Sequence, residues 1–527
     1  MNKIQLRSGQ NAAFNNLKLA VKNGNNKVLF VLPTGGGKSV IIGHLANSLI
    51  GRTLVLTHRV EILNQNSKWI KNLGILTSNE CTVDHSSKVV IAMVQTLHAR
   101  IKKHGENYIG KFDNIILDEA HIQIFDKITE IYNYKRLFGF TATPVIYNRI
   151  KLWIDGEEYN KQLSLADFYD TMIIGQTVKE LIFDGFLVED RNFSLVLDNI
   201  GELKDSNSNP DGYTSKSLTN VYSNKASLDI LLKGYNDICK NKKTLIFNAT
   251  TKVNKIVYEL FKSKGINVKN YDSVNSKPNE REEVINWFRN TDDAVLIGTN
   301  VFTTGFDVDD VINIIINRKT KSLSLWIQMV GRGSRPSAKI FKNHFNVLDL
   351  GQNIEMHGIW SDDIDWWKFF EIKEPELAKK KDLLMIWECS FCGAYNVVGN
   401  LKCSDCGKDK KVFVSKEKPD KTGQIIELNK AVFPRGQHIV NYCRLNNKDK
   451  NFAFKLLDIK ILDLFKNNNI SKNYYIEKRD AFVERIREIY RPAYFSILRS
   501  DLKNTSNNKL LSRTEKCIRI IDEYYGM

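Results

Sequence analysis

The sequence predicts an α/β protein of two tandem parallel-sheet domains, followed by a small four-cysteine module and a mainly helical C-terminal region. Three observations support this. Short apolar runs alternate with helical patterns over 1–145 and again over 226–370, as in parallel sheets covered by helices on both faces. Polar clusters fall at the carboxyl ends of the expected strands, where such sheets bind ligands. At 527 residues the chain exceeds one core and has room for roughly three or four domains.

Composition narrows the class. No stretch reaches the roughly 18 apolar residues of a membrane span, and the opening Met1-Asn2-Lys3-Ile4-Gln5 has no signal-peptide apolar region, so a cytoplasmic protein without a membrane partner is expected. A monomer is the default. The net charge of +17 favours a polyanionic partner such as nucleic acid, although solvated lysines alone give the same balance. Cysteines in an intracellular chain do not form a disulfide framework, and Cys81, Cys239, Cys443 and Cys517 are scattered.

In the first domain, strands are expected at 28–32, 53–57, 89–93, 114–117 and 137–141. After the first comes Leu32-Pro33-Thr34-Gly35-Gly36-Gly37-Lys38-Ser39, then an apolar helical run. Gly35, Gly36 and Gly37 let backbone N–H groups turn inward around an anion without Cβ clashes, and the helix start adds partial positive charge. Lys38 and Ser39 stand where a β/γ-phosphate and Mg²⁺ would sit; the alternative is a glycine-rich turn, since the general pattern wants glycine at Leu32. The strand at 114–117 leads into Asp118-Glu119-Ala120-His121. Asp118 is placed to hold Mg²⁺ with Ser39, and Glu119 to polarise an attacking water; the bland alternative is a solvated acidic turn.

Asp-Glu-Ala-His resembles motif II of superfamily 2 helicases, and the neighbouring segments resemble the rest of that set. Leu6-Arg7-x-x-Gln10 resembles the stretch upstream of motif I, which implies that Arg7 and Gln10 bind the nucleotide, with Gln10 on the adenine edge. Leu56-Thr57-His58-Arg59-Val60-Glu61 resembles motif Ia, and Ala92-Met93-Val94-Gln95-Thr96-Leu97 resembles motif Ib. Arg59, Gln95 and Thr96 are then nucleic-acid contacts; a surface pairing of Arg59 with Glu61 is the competing reading. Phe140-Thr141-Ala142-Thr143-Pro144 resembles motif III, which gives Thr141 and Thr143 a coupling role. The resemblance implies two RecA-like domains.

Residues 146–225 form a connector with no assigned chemistry. A helix is expected over 164–187 and a short strand over 193–197, before the loop-like run Lys204-Asp205-Ser206-Asn207-Ser208-Asn209-Pro210-Asp211-Gly212. The second domain carries expected strands at 244–247, 268–271, 294–298 and 312–316, helices at 251–264 and 279–289, and one from about Ser324. It has no glycine cradle of its own, which points to one ATP site shared between two lobes. Gln328-Met329-Val330-Gly331-Arg332-Gly333-Ser334-Arg335-Pro336 places two arginines on one face around close-packing glycines, and resembles motif VI with Gln328, Arg332 and Arg335 at the transferred phosphate. Gly298-Thr299-Asn300 and Thr303-Thr304-Gly305-Phe306-Asp307 resemble motif V, with Thr299 and Asn300 on nucleic-acid phosphates and Asp307 at the nucleotide.

Residues 371–430 hold Cys389-x-x-Cys392-Gly393 and Cys403-x-x-Cys406-Gly407. Two such turns complete a tetrahedral four-thiolate site for structural Zn²⁺, with no position left for a catalytic water; a redox dithiol or an iron-sulfur cluster are the alternatives. Residues 431–527 show basic helical patterns such as 452–465 and 479–490, with no nuclease constellation. The motor motifs, the run Val347-Leu348-Asp349-Leu350-Gly351-Gln352-Asn353, and the cysteine module together resemble the bacterial RadD-type DNA helicases. That resemblance implies an ATP- and Mg²⁺-dependent helicase or translocase acting on DNA rather than RNA, in DNA repair or replication. A duplex-DNA motor subunit that does not separate strands, and an RNA helicase, are the alternatives.

Overall fold

The computed structural model describes residues 5–370 with short breaks at 80, 84–85, 123–128, 147–148, 155–156, 207–208, 210, 273–279, 300–301, 303–305 and 307, and beyond them 376–377, 386–388, 395–397, 425–428, 436–448, 452–453 and 456. Asn300, Asp307, the cysteines Cys389, Cys392, Cys403 and Cys406, and nearly all of the helical patterns expected beyond 451 lie outside the described residues.

The first half supplies strands β1 (Lys27–Val31), β2 (Thr53–Thr57), β3 (Leu73–Leu76), β4 (Val89–Met93), β5 (Asn114–Asp118) and β6 (Arg136–Thr141), then the hairpin β7 (Arg149–Ile154) and β8 (Glu157–Gln162), and finally β9 (Thr171–Ile174). All but the hairpin join one parallel sheet in the order β3-β4-β2-β5-β6-β1-β9. Both faces are apolar because helices cover both. Leu29 and Val31 of β1 point into one core cluster while Val28 and Phe30 point into the other, the period of two that buries a strand on both sides.

A second sheet follows from β10 (Glu189–Leu195), β11 (Thr244–Asn248), β12 (Val268–Asn270), β13 (Val295–Gly298), β14 (Asn313–Asn317) and β15 (His344–Asp349). Their order is β12-β13-β11-β14-β15-β10, all parallel, with β19 (Ile425–Glu427) added antiparallel to β10 at the edge. Of the intervening short strands, β16 (Glu376–Leu377) pairs with β8, and β17 (Ile386–Glu388) pairs with β18 (Tyr395–Val397).

Three features of the fold depart from expectation. The helix expected over 164–187 is instead a 3₁₀ turn (Leu165–Asp167), the strand β9 and a short helix (Val178–Phe183). Phe168 and Met172 mimic helical spacing, but Met172 packs in one core cluster and Ile173 against the opposite one, which only a strand allows. The connector is also more than a passage: it contributes β9 to the first sheet and β10 to the second. Strand β15, in the interior of the second sheet, was not expected at all; its polar members Asn346 and Asp349 are buried and hydrogen-bonded.

The loop of the connector is pinned to the second sheet by a buried ion pair. Arg318, just after β14, donates from Nε to Asp211 Oδ1 at 3.0 Å and from Nη2 to Asp211 Oδ2, a bidentate geometry with both side chains out of water. Removing one partner strands the other charge in the interior. Arg318→Met is therefore expected to lower unfolding free energy by about 3–5 kcal/mol in chemical denaturation; a change within experimental error would show that the pair is not structurally required.

Candidate active site between the two sheets

The glycine loop leaves β1 with Leu32 N–H donating to Thr141 O at 3.0 Å, and ends where Gly37, at φ 90°, starts the helix Lys38–Ser48. Gly35 and Gly37 both lie in the left-handed region, so the sequence needs glycine there. A Cβ on Gly37 would sit 2.4 Å from Gln10 Nε2. Gln10 itself is buried and donates to Gly36 O at 3.1 Å while accepting the Arg7 N–H at 3.0 Å. It therefore shapes the loop from behind, and the Arg7 guanidinium stacks on the Phe186 ring 3.8 Å from its centroid.

Opposite the loop, β5 ends in Asp118. Its carboxylate accepts from Asn66 Nδ2 at 2.9 Å and from the Glu119 N–H at 3.0 Å. Glu119 has φ 58°, an uncommon conformation for a side chain with a Cβ, and it turns its carboxylate onto Lys38, Nζ to Oε1 2.8 Å. Burial alone would raise the Glu119 pKa, but Lys38 and the nearby His121 overcome it and hold it at about 2. Asp118 goes the other way: burial, against the pull of Lys38, raises its pKa. Burial likewise lowers the His58 pKa to about 4 and, against the pull of Glu119, lowers that of His121.

Two buried carboxylates thus face one ammonium, and Glu119 Oε2 is buried without a hydrogen-bond partner. Such a donor set suits a hard divalent cation with its waters, with Asp118 and Ser39 as the holding residues. Ser39 is the second residue of the loop's helix and half-buried.

The second sheet brings the arginines. The helix Leu323–Val330 runs into the 3₁₀ turn Gly331–Gly333. There Gly331 comes close enough to the loop that a Cβ on it would touch Thr34 Cβ at 3.5 Å, and a Cβ on Gly35 would touch Arg335 Cγ at 3.9 Å. Arg332 is buried, donates from Nη1 to Phe306 O at 2.8 Å, and has its pKa lowered by burial to about 10 against the opposing charge of Glu119. Burial also lowers Arg335.

A hydrogen-bonded line crosses between the sheets. His121 Nδ1 meets Thr141 Oγ1 at 2.9 Å, Thr141 Oγ1 donates to Thr143 O at 3.1 Å, and Thr143 Oγ1 meets Ser324 Oγ of the second sheet's helix at 2.6 Å. Gln328 Nε2 continues to Ser324 Oγ at 3.4 Å. Sequence reasoning missed Asn66 and Ser324, because nothing local marks an Asn or Ser as the partner of a distant site residue.

The expected nucleic-acid residues range from Arg59, within electrostatic reach of Glu119 and Arg332, to the exposed Gln95. Arg59 is half-buried, with its pKa lowered by burial; its neighbour Glu61 forms an ion pair with Arg281 of the second domain. Gln95 is exposed and donates to His58 O at 3.5 Å, Thr96 follows it in the helix Val94–His104, and Thr299 is half-buried just beyond β13.

With this geometry in place, comparison with known proteins defines the class. Residues 3–146 match the family described as type III restriction enzyme, res subunit, and residues 226–337 match the helicase conserved C-terminal domain. The chain carries the two ATP-hydrolysing domains of a superfamily 2 helicase or translocase. It is 29% identical over 390 residues to the putative ATP-dependent helicase IRC3 of Saccharomyces cerevisiae, covering 68% of this chain and 55% of that protein. It is 27% identical to a 51.5 kDa protein of a Lactococcus phage, covering 92% of this chain and 95% of the phage protein. The chain therefore spans about half the length of the yeast relative and nearly all of the phage one. Its fold is shared with a fragment of a putative HsdR subunit of a type I restriction enzyme from Vibrio vulnificus YJ016, at TM-score 0.52, 21% identity, and coverage of 70% of this chain and 68% of that one.

Gly37→Ala is expected to weaken binding of a fluorescent ATP analogue by at least about fivefold, since the left-handed backbone alone costs roughly 1–3 kcal/mol. Unchanged affinity would remove Gly37 from the nucleotide site.

Proposed function

We propose that this protein hydrolyses ATP in the cleft between its two sheets and uses the cycle to move along DNA as a helicase or translocase. The observation that carries the reading is the approach of Gly331 and Arg335, from the second sheet, to Thr34 and Gly35, from the first. The loop 34–39 binds the phosphates, with Lys38 leaving Glu119 for the β/γ oxygens. Asp118 and Ser39 hold the Mg²⁺, which when bound neutralises charge developing on those oxygens. Glu119, ionised by its surroundings, orients and deprotonates the attacking water through Oε2. Gln328, Arg332 and Arg335 meet the γ-phosphate from the other lobe, where an arginine is worth about 10³–10⁵ in rate. Arg7 and Gln10 lie on the base side, with Asp307 as a further nucleotide contact. Thr141 and Thr143 pass the state of the site to Ser324 and so to the second lobe.

DNA is the proposed track, supported by the net charge of +17 and by the restriction-enzyme names among the matches. Arg59, Gln95, Thr96, Thr299 and Asn300 are the proposed backbone contacts. The likeness to RadD-type helicases supports a role in DNA repair or replication, with a structural Zn²⁺ on Cys389, Cys392, Cys403 and Cys406. The restriction-enzyme family matched by residues 3–146 supports a second reading, the motor subunit of a restriction complex that tracks duplex without separating strands.

ATP turnover measured with single-stranded, duplex and forked DNA and with RNA tests both. The reading expects stimulation by DNA and turnover reduced to background in Lys38→Ala and Glu119→Gln. Stimulation by RNA alone would overturn the choice of DNA, and wild-type turnover in either variant would overturn the site.

A further inference from the structure

Four consecutive residues, 185–188, join the candidate site to a helix late in the described chain. Gly185 turns the backbone at φ 74° just after the helix Val178–Phe183. Phe186 lays its ring under the Arg7 guanidinium, 3.8 Å from carbon to centroid. Leu187 packs beside the glycine loop so closely that a Cβ on Gly35 would meet its Cδ2 at 2.7 Å. Val188 N–H donates to Ser334 O, between the two arginines, at 2.7 Å. One short turn therefore touches the base side, the phosphate loop and the arginine segment.

The carbonyls of this turn are held from the far end of the chain. In the helix Gly436–Leu445, His438 Nε2 lies 2.8 Å from Leu187 O and Asn441 Nδ2 donates to Gly185 O at 3.0 Å. A carbonyl only accepts, so the proton of His438 is on Nε2. Both side chains are buried, and their spacing of three places them on one helix face. Tyr442 packs edge-on against Phe341 at 5.7 Å between centroids, which ties the same helix to the second domain.

We propose that His438 and Asn441 are positioning residues for the nucleotide pocket: by fixing the turn 185–188 they set where Phe186 and Leu187 stand against Arg7 and Gly35. The helix thereby tunes nucleotide affinity without touching the reacting atoms. This rests on the reading of the glycine loop as the ATP site.

The test uses the full chain. Asn441→Asp keeps the side-chain size and removes the donor; KM for ATP is expected to rise about tenfold, the scale of one lost buried hydrogen bond, with kcat changed by less than about twofold. His438→Leu should behave alike, whereas His438→Gln, which keeps an N–H, should return KM to within about threefold of wild type. Binding of a fluorescent ATP analogue by the unsubstituted protein is measured alongside. Its absence would refute the ATP reading itself, while wild-type binding together with unchanged KM in Asn441→Asp and His438→Leu would overturn the positioning role. If Asn441→Asp does not fold, the His438→Leu and His438→Gln pair decides in the same way.

Discussion

An ammonium 2.8 Å from a buried carboxylate, Lys38 against Glu119, is the contact on which the rest of the site depends. A buried ion pair is a weak source of stability, because desolvating both charges costs about as much as their attraction returns. Its value here is poise. Lys38 keeps Glu119 ionised in a place where burial alone would protonate it, and the same lysine is the group that phosphates would draw away. Glu119 sits in a left-handed backbone conformation that aims it at the loop, a local cost of the kind that functional sites retain.

That pair lies in the first sheet, yet its electrostatic surroundings belong partly to the second. Arg332 feels Glu119 strongly enough for the carboxylate to offset some of the burial penalty on the guanidinium. The line His121, Thr141, Thr143, Ser324 and Gln328 gives the same two halves a mechanical connection, with its shortest step, 2.6 Å, at the crossing between domains. The line ends on the helix Leu323–Val330, which leads directly into the turn that holds Arg332.

Much of this was legible in the sequence because strand runs and the polar clusters at their ends are local signals. The expected strands at 53–57 and 89–93 coincide with β2 and β4, and the glycine loop lies beside both the acidic tetrad and the arginine segment. What could not be read is long-range. Asn66 reaches Asp118 across 52 residues, and Ser324 meets Thr143 across 181, so neither leaves a pattern in a window of sequence. The error at 164–187 has a different cause: a short edge strand with apolar residues on both faces carries the same composition as a buried helix, and spacing over so few residues does not separate them. The contacts of the turn 185–188 appear only once three distant segments are folded around it.

In the proposed function, a single site is completed by arginines from a separate domain. Single-turnover ATP hydrolysis by Arg332→Ala, with analogue binding measured on the same sample, tests it most directly. Binding within a few fold of wild type and a hydrolysis rate lower by about 10³ or more are expected. Hydrolysis at the wild-type rate would contradict it and confine the chemistry to the first sheet.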